Sequence, residues 1–365
     1  MDFRIRKAEF LRGLRLAQGI ADRKSTMPIL ANVLLRAETS GKLILAATDL
    51  NVSLSAELGA KVDLEGSLTV NAKHTHDIVA SLPGEELRCR ITDSTWVEIK
   101  AAKVEYKLVG MLDREFPKIP DHREATFSEI EPAVLKEMID KTVFSISNDE
   151  TRFHLAGVLF EHNGSVAQMV STDGHRLSLV RRPLAAVPLG TGVIIPRKGV
   201  LEIRRLLDAA TAPTQIAVTT ANVFVKSGDV VVAIKLIDSQ FPPYEQVIPA
   251  ASETSTLVDR LTFMESLKRS RVVSSGTRGV RFYFDQGLLC LTAQNPELGE
   301  AKEEIEINYT GSPLSIGFNP EYLLDLLAQM STNQIKLELS RELDPLVIRQ
   351  VNDDSYVGVV MPMRL

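Results

Sequence analysis

The sequence predicts an α+β fold in which one unit of about 120 residues occurs three times. Each unit is expected to hold antiparallel sheets with two helices on one face. Three observations support this: a polar turn that recurs between apolar runs, helical patterns on both sides of each turn, and proline-rich segments between the copies. The chain has 365 residues, 44% of them apolar, which suffices for a large core in two or three domains.

The recurring turn follows an alternating apolar strand in each copy. It reads ATDLN at residues 47–51, STDGHR at 171–176 and AQNPE at 293–297. Asp49, Asp173 and Asn295 take the same position, with spacings of 124 and 122 residues. Asp and Asn suit such turns because their side chains cap the backbone and tolerate unusual dihedral angles.

Two helical patterns accompany each turn, one upstream of it and one downstream. The predicted helical segments are residues 7–24, 71–82, 132–147, 196–209, 258–271 and 319–330. Pro132 suits a first helical position, and Asn319 is expected to be the N-cap of the last helix. Lys73, Lys198 and Glu321 fall at matching positions of the downstream helices.

Prolines recur near residues 116–126 and 241–254, which indicates two linkers. We therefore expect three domains, at residues 1–121, 122–250 and 251–365. Strands that follow one another with few helical crossovers favour antiparallel sheets.

Composition excludes several classes of protein. A formal net charge of −5 and a pI near 5.8 exclude a uniformly basic nucleic-acid binder. Cys89 and Cys290 lie in alternating apolar runs, which predicts buried free thiols in a reducing compartment. Without an apolar leader or an apolar run of about 18 residues, a cytoplasmic protein with no membrane contact is expected. His74 and His76 lack a third ligand type nearby, so neither a metal nor a cofactor is expected.

Two motifs raise the question of catalysis. Ser171, Asp173 and His175 lie in one turn, whereas a Ser-His-Asp triad needs side chains that converge from separate elements. The glycine-bearing segment SSGTRG at 274–279 lacks the lysine of a phosphate loop and is expected to be a hairpin loop. A nucleic-acid hydrolase that uses Asp173 and His175 stays an alternative, beside a purely structural turn and the rim of a binding pocket.

Four short segments resemble a known family: TDGHRL in the second copy, PRKGV at its downstream helix, FPPY in the second linker and MPMRL at the end. With the threefold repeat, they resemble the bacterial DNA polymerase III beta subunit, or sliding clamp, family over the whole chain. The resemblance implies a ring-forming DNA clamp fold, with antiparallel sheets outside and two helices per domain inside. It implies a non-catalytic homodimer that encircles double-stranded DNA without sequence preference. The replicative DNA polymerase, the clamp loader and repair proteins would bind through short peptides.

Charge and helix geometry agree with a ring of two chains. The helical segments carry charges of +3, 0, 0, +2, +2 and −2, so they are net basic in an acidic chain. Twelve helices packed about 10 Å apart give a ring about 38 Å across between axes, with a hole of roughly 28 Å. Six helices would leave a hole too small for a duplex of about 20 Å.

Basic residues at helix ends and in nearby loops are the candidates for phosphate contact, although solvated surface charge is the alternative. These candidates are Arg23, Lys24, Lys73, Arg197, Lys198, Lys268 and Arg269.

Opposite charges at the ends of the chain suggest a head-to-tail dimer interface, with ordinary solvated surface as the alternative. The first copy offers Lys100, Lys103, Tyr106, Lys107 and Leu108. The third copy offers Val272, Val273, Glu297, Glu300, Glu303 and Glu304. In the family these two regions meet.

The resemblance also places a partner-peptide pocket between the second and third copies. The second copy and its linker supply Leu155, Thr172, Gly174, His175, Arg176, Leu177, Pro242 and Val247. The third copy supplies Leu343, Val359, Met361, Pro362, Met363 and Arg364. Apolar side chains would form the floor, Gly174 would admit a ligand backbone, and His175 and Arg176 would anchor it. Gln246 replaces an arginine of many members, and a frayed closing strand is the alternative to a pocket.

Overall fold

The structure, a computed structural model, describes residues 1–22, 24–149, 151–184, 192–210, 212–249, 254–274 and 279–365. The α-helices in these ranges are α1 (Lys7–Ile20), α2 (Ala72–Ser81), α3 (Pro132–Asp140), α4 (Arg197–Asp208), α5 (Arg260–Val273) and α6 (Pro320–Ala328). Each predicted helical segment is thus confirmed. The predicted hairpin loop at 274–279 lies mostly outside the described residues.

Two helices end well before the residue that the sequence predicts, whereas the ends of the others differ by one or two residues. α1 stops at Ile20 rather than at residue 24, and α3 stops at Asp140 rather than at residue 147. Beyond α3, Thr142 Oγ1 donates a 2.8 Å hydrogen bond to Met138 O, and a 3-10 turn spans Val143–Ser145. Side-chain hydrogen bonds of this kind compete with the helical ladder, and β-branched residues lower helix propensity.

The strands fall into three groups along the chain. The first group is β1 (Asp2–Arg6), β2 (Asn32–Glu38), β3 (Lys42–Thr48), β4 (Val52–Gly59), β5 (Lys61–Leu64), β6 (Gly66–Asn71), β7 (Glu86–Asp93), β8 (Trp96–Ala101) and β9 (Val104–Met111). The second is β10 (Ser128–Ile130), β11 (Gly157–Asn163), β12 (Val166–Thr172), β13 (Arg176–Pro183), β14 (Val193–Pro196), β15 (Thr214–Val218), β16 (Asn222–Ser227) and β17 (Val230–Lys235). The third is β18 (Thr254–Asp259), β19 (Val280–Asp285), β20 (Leu288–Asn295), β21 (Gly299–Glu306), β22 (Leu314–Phe318), β23 (Gln334–Leu339), β24 (Leu346–Gln350) and β25 (Asp353–Val360).

The order of elements confirms the threefold repeat. Each copy runs strand, helix, three strands, a strand that leads into the second helix, and three final strands, with β5 as an addition in the first copy. The recurring turn residue also makes the same kind of backbone hydrogen bonds in all three copies. Asp49, Asp173 and Asn295 each accept hydrogen bonds through Oδ1 from the backbone N–H groups two and three residues later.

The starts of the helices follow the sequence signals. Asn319 caps α6 by accepting from the Glu321 N–H at 3.0 Å, and Asn71 caps α2 in the same way through the His74 N–H at 3.0 Å. α3 begins at Pro132, as expected for a residue whose missing N–H is not needed there. These signals set the register of the helices against the sheets.

The chain divides into two compact bodies, each with a strand joint that links two copies of the repeat. In the first body, within residues 1–135 and 198–236, β4 pairs antiparallel with β17. In the second, within residues 136–184, 192–197 and 237–365, β13 pairs antiparallel with β25. Each joint joins the strand after the recurring turn to the last strand of the next copy. The antiparallel expectation is confirmed throughout these ladders.

The equivalent strands of the third and first copies lack such a joint in the described part of the chain. β21 follows the turn in the third copy and lies at the end of its four-stranded sheet. β9 is the last strand of the first copy, and apart from β8 it contacts only β6, at Gly110 and Met111. Among the described residues, one edge of β21 and one edge of residues 104–109 of β9 are therefore unpaired.

Apolar side chains of the helices fill the space under each sheet. Phe10 and Leu14 of α1 are fully buried, as are Phe263 and Leu267 of α5, which packs on β20 and β21. Cys89 and Cys290 are buried and free, as predicted for both thiols. Among the described helices, none has the length and apolar character to cross a membrane.

A partly buried ion pair between Arg182 and Glu137 in the second body predicts that the fold loses stability in acid. Arg182 Nε donates to Glu137 Oε2 at 2.9 Å, and this hydrogen bond, with a second from Lys141, lowers the pKa of Glu137 to about 2. A carboxyl whose pKa is lowered by folding contributes its full stabilisation at pH values above its pKa in the unfolded chain, near 4.5. That contribution is lost as the pH falls through the folded-state pKa of about 2.

We predict that Glu137→Gln lowers the free energy of unfolding by roughly 1 kcal/mol at pH 7, a modest value because solvent screens a partly exposed pair. The difference from the wild type should shrink between about pH 4.5 and pH 2 in urea titrations. Glu342→Gln, at an exposed carboxylate, is the matched control and should show no such trend. A difference that stays constant across this range contradicts the assignment.

Candidate functional site

The side chains of the turn at 171–176 do not form a catalytic triad. Ser171 is buried and donates its hydroxyl to Thr142 O at 2.5 Å. Asp173 accepts backbone N–H groups through Oδ1 and Arg176 Nε through Oδ2. His175 is exposed and stacks on Tyr322, with ring centroids 6.3 Å apart. Ser171 and Asp173 are thus engaged elsewhere, and within this turn neither side chain is hydrogen-bonded to the His175 ring.

Gly174 owes its place to backbone conformation. Its φ is +90°, and the matching residue of the first copy, Leu50, has a φ of +77°. A Cβ at Gly174 would also lie 2.9 Å from Arg152 Nη1. Glycine adopts this region without strain, whereas a residue with a side chain, such as Leu50, adopts it at an energetic cost. The turn itself therefore explains the glycine.

Arg176 lies at the centre of a polar network. Its Nε bonds Asp173 Oδ2 at 3.1 Å, Nη1 bonds Asp325 Oδ2 at 2.5 Å and Nη2 bonds Phe144 O at 2.5 Å. The guanidinium also lies over the rings of Tyr322, at 4.6 Å, and Phe144, at 5.3 Å. The side chain is only 11% exposed, so most of its binding capacity is used within the chain.

The apolar residues expected in the pocket lie at different depths. Leu177 and Val359 face each other across the β13–β25 joint, and both are buried with Tyr244 in one apolar cluster. Leu155 is buried as well, at the end of a 3-10 turn that starts at Phe153. Val247 is exposed. Leu177 and Val359 thus belong to one buried cluster, whereas the side chain of Val247 is accessible to solvent.

The C-terminal segment is held along its length. The Met361 N–H donates to His175 O at 2.8 Å, and the Met363 N–H donates to Gly317 O at 2.7 Å. Arg281 then donates to Leu365 O at 3.1 Å. The alternative of a frayed end is therefore wrong. Pro362 and Met363 are half-buried, while Arg364 is exposed.

The linker residues of the pocket are fixed by a buried tyrosine. The Tyr244 hydroxyl donates to Glu161 Oε2 at 2.9 Å, and burial raises the pKa of this phenol. Tyr244 begins a 3-10 turn that ends at Val247 and presents Gln246 to solvent. Pro242 is half-buried just before it. Thr172 is fixed too, since its hydroxyl donates to Arg176 O at 2.7 Å. Leu343 is 65% exposed.

The two open strand edges carry the charges expected of the dimer interface. Near the first, Lys107 lies on β9, Lys103 directly precedes it and Lys100 lies on the neighbouring strand β8, and all three are exposed. Glu105 of β9 lies 3.7 Å from Lys100 and 3.9 Å from Lys107. Tyr106 is exposed and Leu108 is half-buried.

The second edge, β21, carries Glu300, Glu303 and Glu304, with Glu297 in the turn before it. Val272, at the end of α5, is 70% exposed, and its neighbour Val273 is half-buried. Glu304 pairs with Lys302 at 2.7 Å. Glu303 is engaged within the chain by Arg269, and this hydrogen bond lowers the pKa of its carboxyl.

The basic residues proposed for DNA contact differ in their partners. Lys198 Nζ contacts Asp49 Oδ2 at 2.5 Å, Lys268 Nζ contacts Glu265 Oε1 at 2.8 Å, and Arg269 Nε contacts Glu303 Oε2 at 3.0 Å. Arg197 Nη1 donates to Asn148 Oδ1 at 2.7 Å.

In the described part of the chain, Lys24 and Lys73 have no carboxylate within ion-pair distance, and Lys24 is exposed. Arg23 lies outside the described residues. Across the described ranges, no group of three or more His, Cys, Asp or Glu side chains could hold a metal ion.

Sequence models of one family match almost the whole chain. The DNA polymerase III beta subunit N-terminal domain matches residues 1–120, the central domain 129–243 and the C-terminal domain 245–364. The chain belongs to the DNA polymerase III beta subunit family. The chain is 34% identical to the beta sliding clamp of Pseudomonas aeruginosa and 31% identical to that of Escherichia coli K12, with 100% of both chains covered in each case.

The fold agrees with this family. The crystal structure of the DNA polymerase III subunit beta from Pseudomonas aeruginosa superposes with a TM-score of 0.94 at 34% identity, and 100% of each chain is covered. The expected clamp fold with three domains is confirmed, as is the expectation of a non-catalytic sliding clamp. Nothing in these comparisons favours the hydrolase alternative that used Asp173 and His175.

Sequence reasoning missed the residues that hold Arg176. Asp325 and Tyr322 lie on α6, about 150 residues along the chain from the turn, and Phe144 follows the early end of α3. No local motif marks such a contact. The repeat is the one signal that the sequence offers for these partners, since it identifies α6 as the downstream helix of the third copy.

Proposed function

We propose that two copies of this sliding clamp close head to tail around duplex DNA and tether the replicative DNA polymerase, the clamp loader and repair proteins through short peptides. No cofactor takes part, and the protein acts in the cytoplasm, where the DNA of a bacterium lies. The proposal includes domains at residues 1–121, 122–250 and 251–365. The observation that carries it is the pair of open strand edges on β9 and β21.

The repeat supplies the reason for closure between chains. Wherever a next copy exists, the strand after the turn pairs with the last strand of that copy, as β4 does with β17 and β13 with β25. In the described part of the chain, β21 and residues 104–109 of β9 pair with no strand of another copy. Pairing β21 with β9 of a second chain repeats the same joint twice per dimer and gives a closed, symmetric assembly. Open edges otherwise invite non-specific pairing.

Charge complementarity supports this partner. Lys100, Lys103 and Lys107 would face Glu297, Glu300 and Glu304 across the joint, and Glu303 would add to that field while bound to Arg269. Tyr106 and Leu108 would pack near Val273 and near Val272, which is 70% exposed in the single chain.

For DNA contact we propose Arg23, Lys24, Lys73, Arg197, Lys198, Lys268 and Arg269, with Lys24 and Lys73 as the strongest members. Lys198, Lys268 and Arg269 already have carboxylate partners, so a phosphate must compete for their charge. Contacts to phosphates alone carry no sequence information, which suits a protein that must move along DNA.

For peptide binding we propose the pocket at the β13–β25 joint. Leu155, Leu177 and Val359 would form its wall, and Thr172, Gly174 and His175 its turn. The further members are Arg176, Pro242, Val247, Leu343, Met361, Pro362, Met363 and Arg364. Methionines suit a site that accepts several peptides because their side chains repack at little energetic cost.

We predict a stable dimer of twice 40.3 kDa. Lys103→Glu with Lys107→Glu should weaken it roughly 5- to 30-fold, because each surface pair contributes about 0–1 kcal/mol and reversal adds repulsion. The effect should grow at low salt. Sedimentation equilibrium measures both. Lys42→Glu with Lys61→Glu, on β3 and β5, is the control and should leave the dimer intact. A wild-type monomer at micromolar concentration would refute the joint.

A second prediction concerns topology. Protein placed on a nicked circle by its clamp loader should remain there through gel filtration and leave once the circle is linearised. Equal retention on circular and linear DNA would mean ordinary binding instead. Direct binding to a short duplex should be weak, and Lys24→Glu with Lys73→Glu should reduce its salt slope by roughly two to four. The Lys42→Glu, Lys61→Glu variant again serves as the control.

A third prediction tests the pocket. Deletion of residues 361–365 should weaken a fluorescein-labelled clamp-binding peptide of the replicative polymerase about 30-fold or more, as expected when a central contact is lost. Fluorescence anisotropy gives the affinity, while dimer mass and retention on circular DNA should persist. Unchanged peptide affinity after the deletion would remove the C-terminal segment from the site.

A further inference from the structure

We propose that Asp325, on α6, sets the peptide affinity of the clamp from outside the pocket by holding Arg176 in place. In this inference, which rests on the pocket proposed above, Arg176 acts mainly as a positioning residue of the pocket wall. The pairing of Arg176 with Asp325 does not follow from the repeat, because Asp173 and Asp325 come from different copies.

The geometry around Arg176 leaves it little freedom to leave its place. Three of its five N–H donors are taken up by oxygens of Asp173, Asp325 and Phe144, in separate elements of the described chain. The aromatic rings of Phe144 and Tyr322 lie close to the guanidinium plane. A planar guanidinium suits such a fixed fork of partners, and the single charge of a lysine could not replace it.

Arg176 in turn determines the position of the pocket wall. It is the first residue of β13, and it pairs with Val360 in the joint to β25. Its neighbour His175 accepts the hydrogen bond from Met361 at the start of the C-terminal segment. A shift of Arg176 would therefore move both the turn and the backbone of Met361. Neither His175 nor Met361 is among the described partners of Asp325.

Asp325 is well placed to be a remote control point. Its side chain is 45% exposed, and no pocket residue other than Arg176 is among its described partners. An ordinary surface ion pair contributes little, but this one anchors a side chain that is itself 11% exposed. Removing one partner of such a pair leaves the other charge poorly solvated and free to rearrange.

The test uses the full-length dimer and the labelled polymerase peptide described above. Asp325→Ala should weaken the peptide about 5- to 20-fold, within the range of coupling through one contact. Glu321→Ala is the matched control: it lies one turn earlier on α6 and breaks an exposed pair with Arg271, so affinity should stay within about twofold. Equal losses in both variants would assign the effect to α6 in general and overturn the proposal.

Arg176→Lys separates positioning from direct anchoring. If Arg176 acts through Asp325, the lysine variant loses affinity although it keeps the charge, and Arg176→Lys with Asp325→Ala is no worse than Arg176→Lys alone. Amide hydrogen exchange at residues 173–177 should also rise in Asp325→Ala. If Arg176 instead contacts the peptide only by its charge, Asp325→Ala leaves affinity unchanged, and the proposal is wrong.

Two controls keep the outcomes distinct. Should Asp325→Ala fail to fold by circular dichroism, Asp325→Asn keeps the shape of the side chain and removes only its charge. Should the wild-type dimer itself not bind the peptide, the pocket fails rather than the role of Asp325. Affinity that is normal in both Asp325 variants refutes the inference while the pocket stands.

Discussion

Backbone pairing between strands of successive copies is the interaction on which this molecule depends. Hydrogen bonds along an antiparallel joint align the two strands residue by residue, so the copies cannot slide without moving every side chain to the opposite face. The β13–β25 joint also places Leu177 and Val359 opposite each other. One kind of contact thus builds the scaffold and positions two of the residues that we propose for peptide binding.

The polar turn before each joint strand has a structural role first. Asp49, Asp173 and Asn295 make the same backbone contacts, although only the second copy carries the histidine and arginine. Those additions exploit a turn that already exists. The peptide-binding role that we propose thus rests on side chains that only one of three corresponding turns carries.

The sequence was informative wherever a local rule applied. Turn residues, caps such as Asn319, and the first-position Pro132 predicted the repeat and the helix starts, because each acts on its own backbone. The end of α3 was missed, since the hydroxyl of Thr142 competes with the helix only in the folded geometry. The network of Arg176 was missed for a different reason: its partners come from distant segments, and residue types alone do not show that they meet. Lys198 and Arg269 have the charge that DNA contact needs. Their carboxylate partners, Asp49 and Glu303, lie far from them in the sequence, so residue spacing does not predict these pairs.

The division of the central copy between two bodies has a practical consequence for anyone who wishes to cut the protein into pieces. β15, β16 and β17 belong to the sheet of the first copy, while β11 to β14 belong to that of the third. A fragment that ends at the first linker would expose the apolar edge of β4, and one that begins at the second linker would expose that of β25. Such edges recruit other strands indiscriminately, so isolated pieces should aggregate rather than behave as domains.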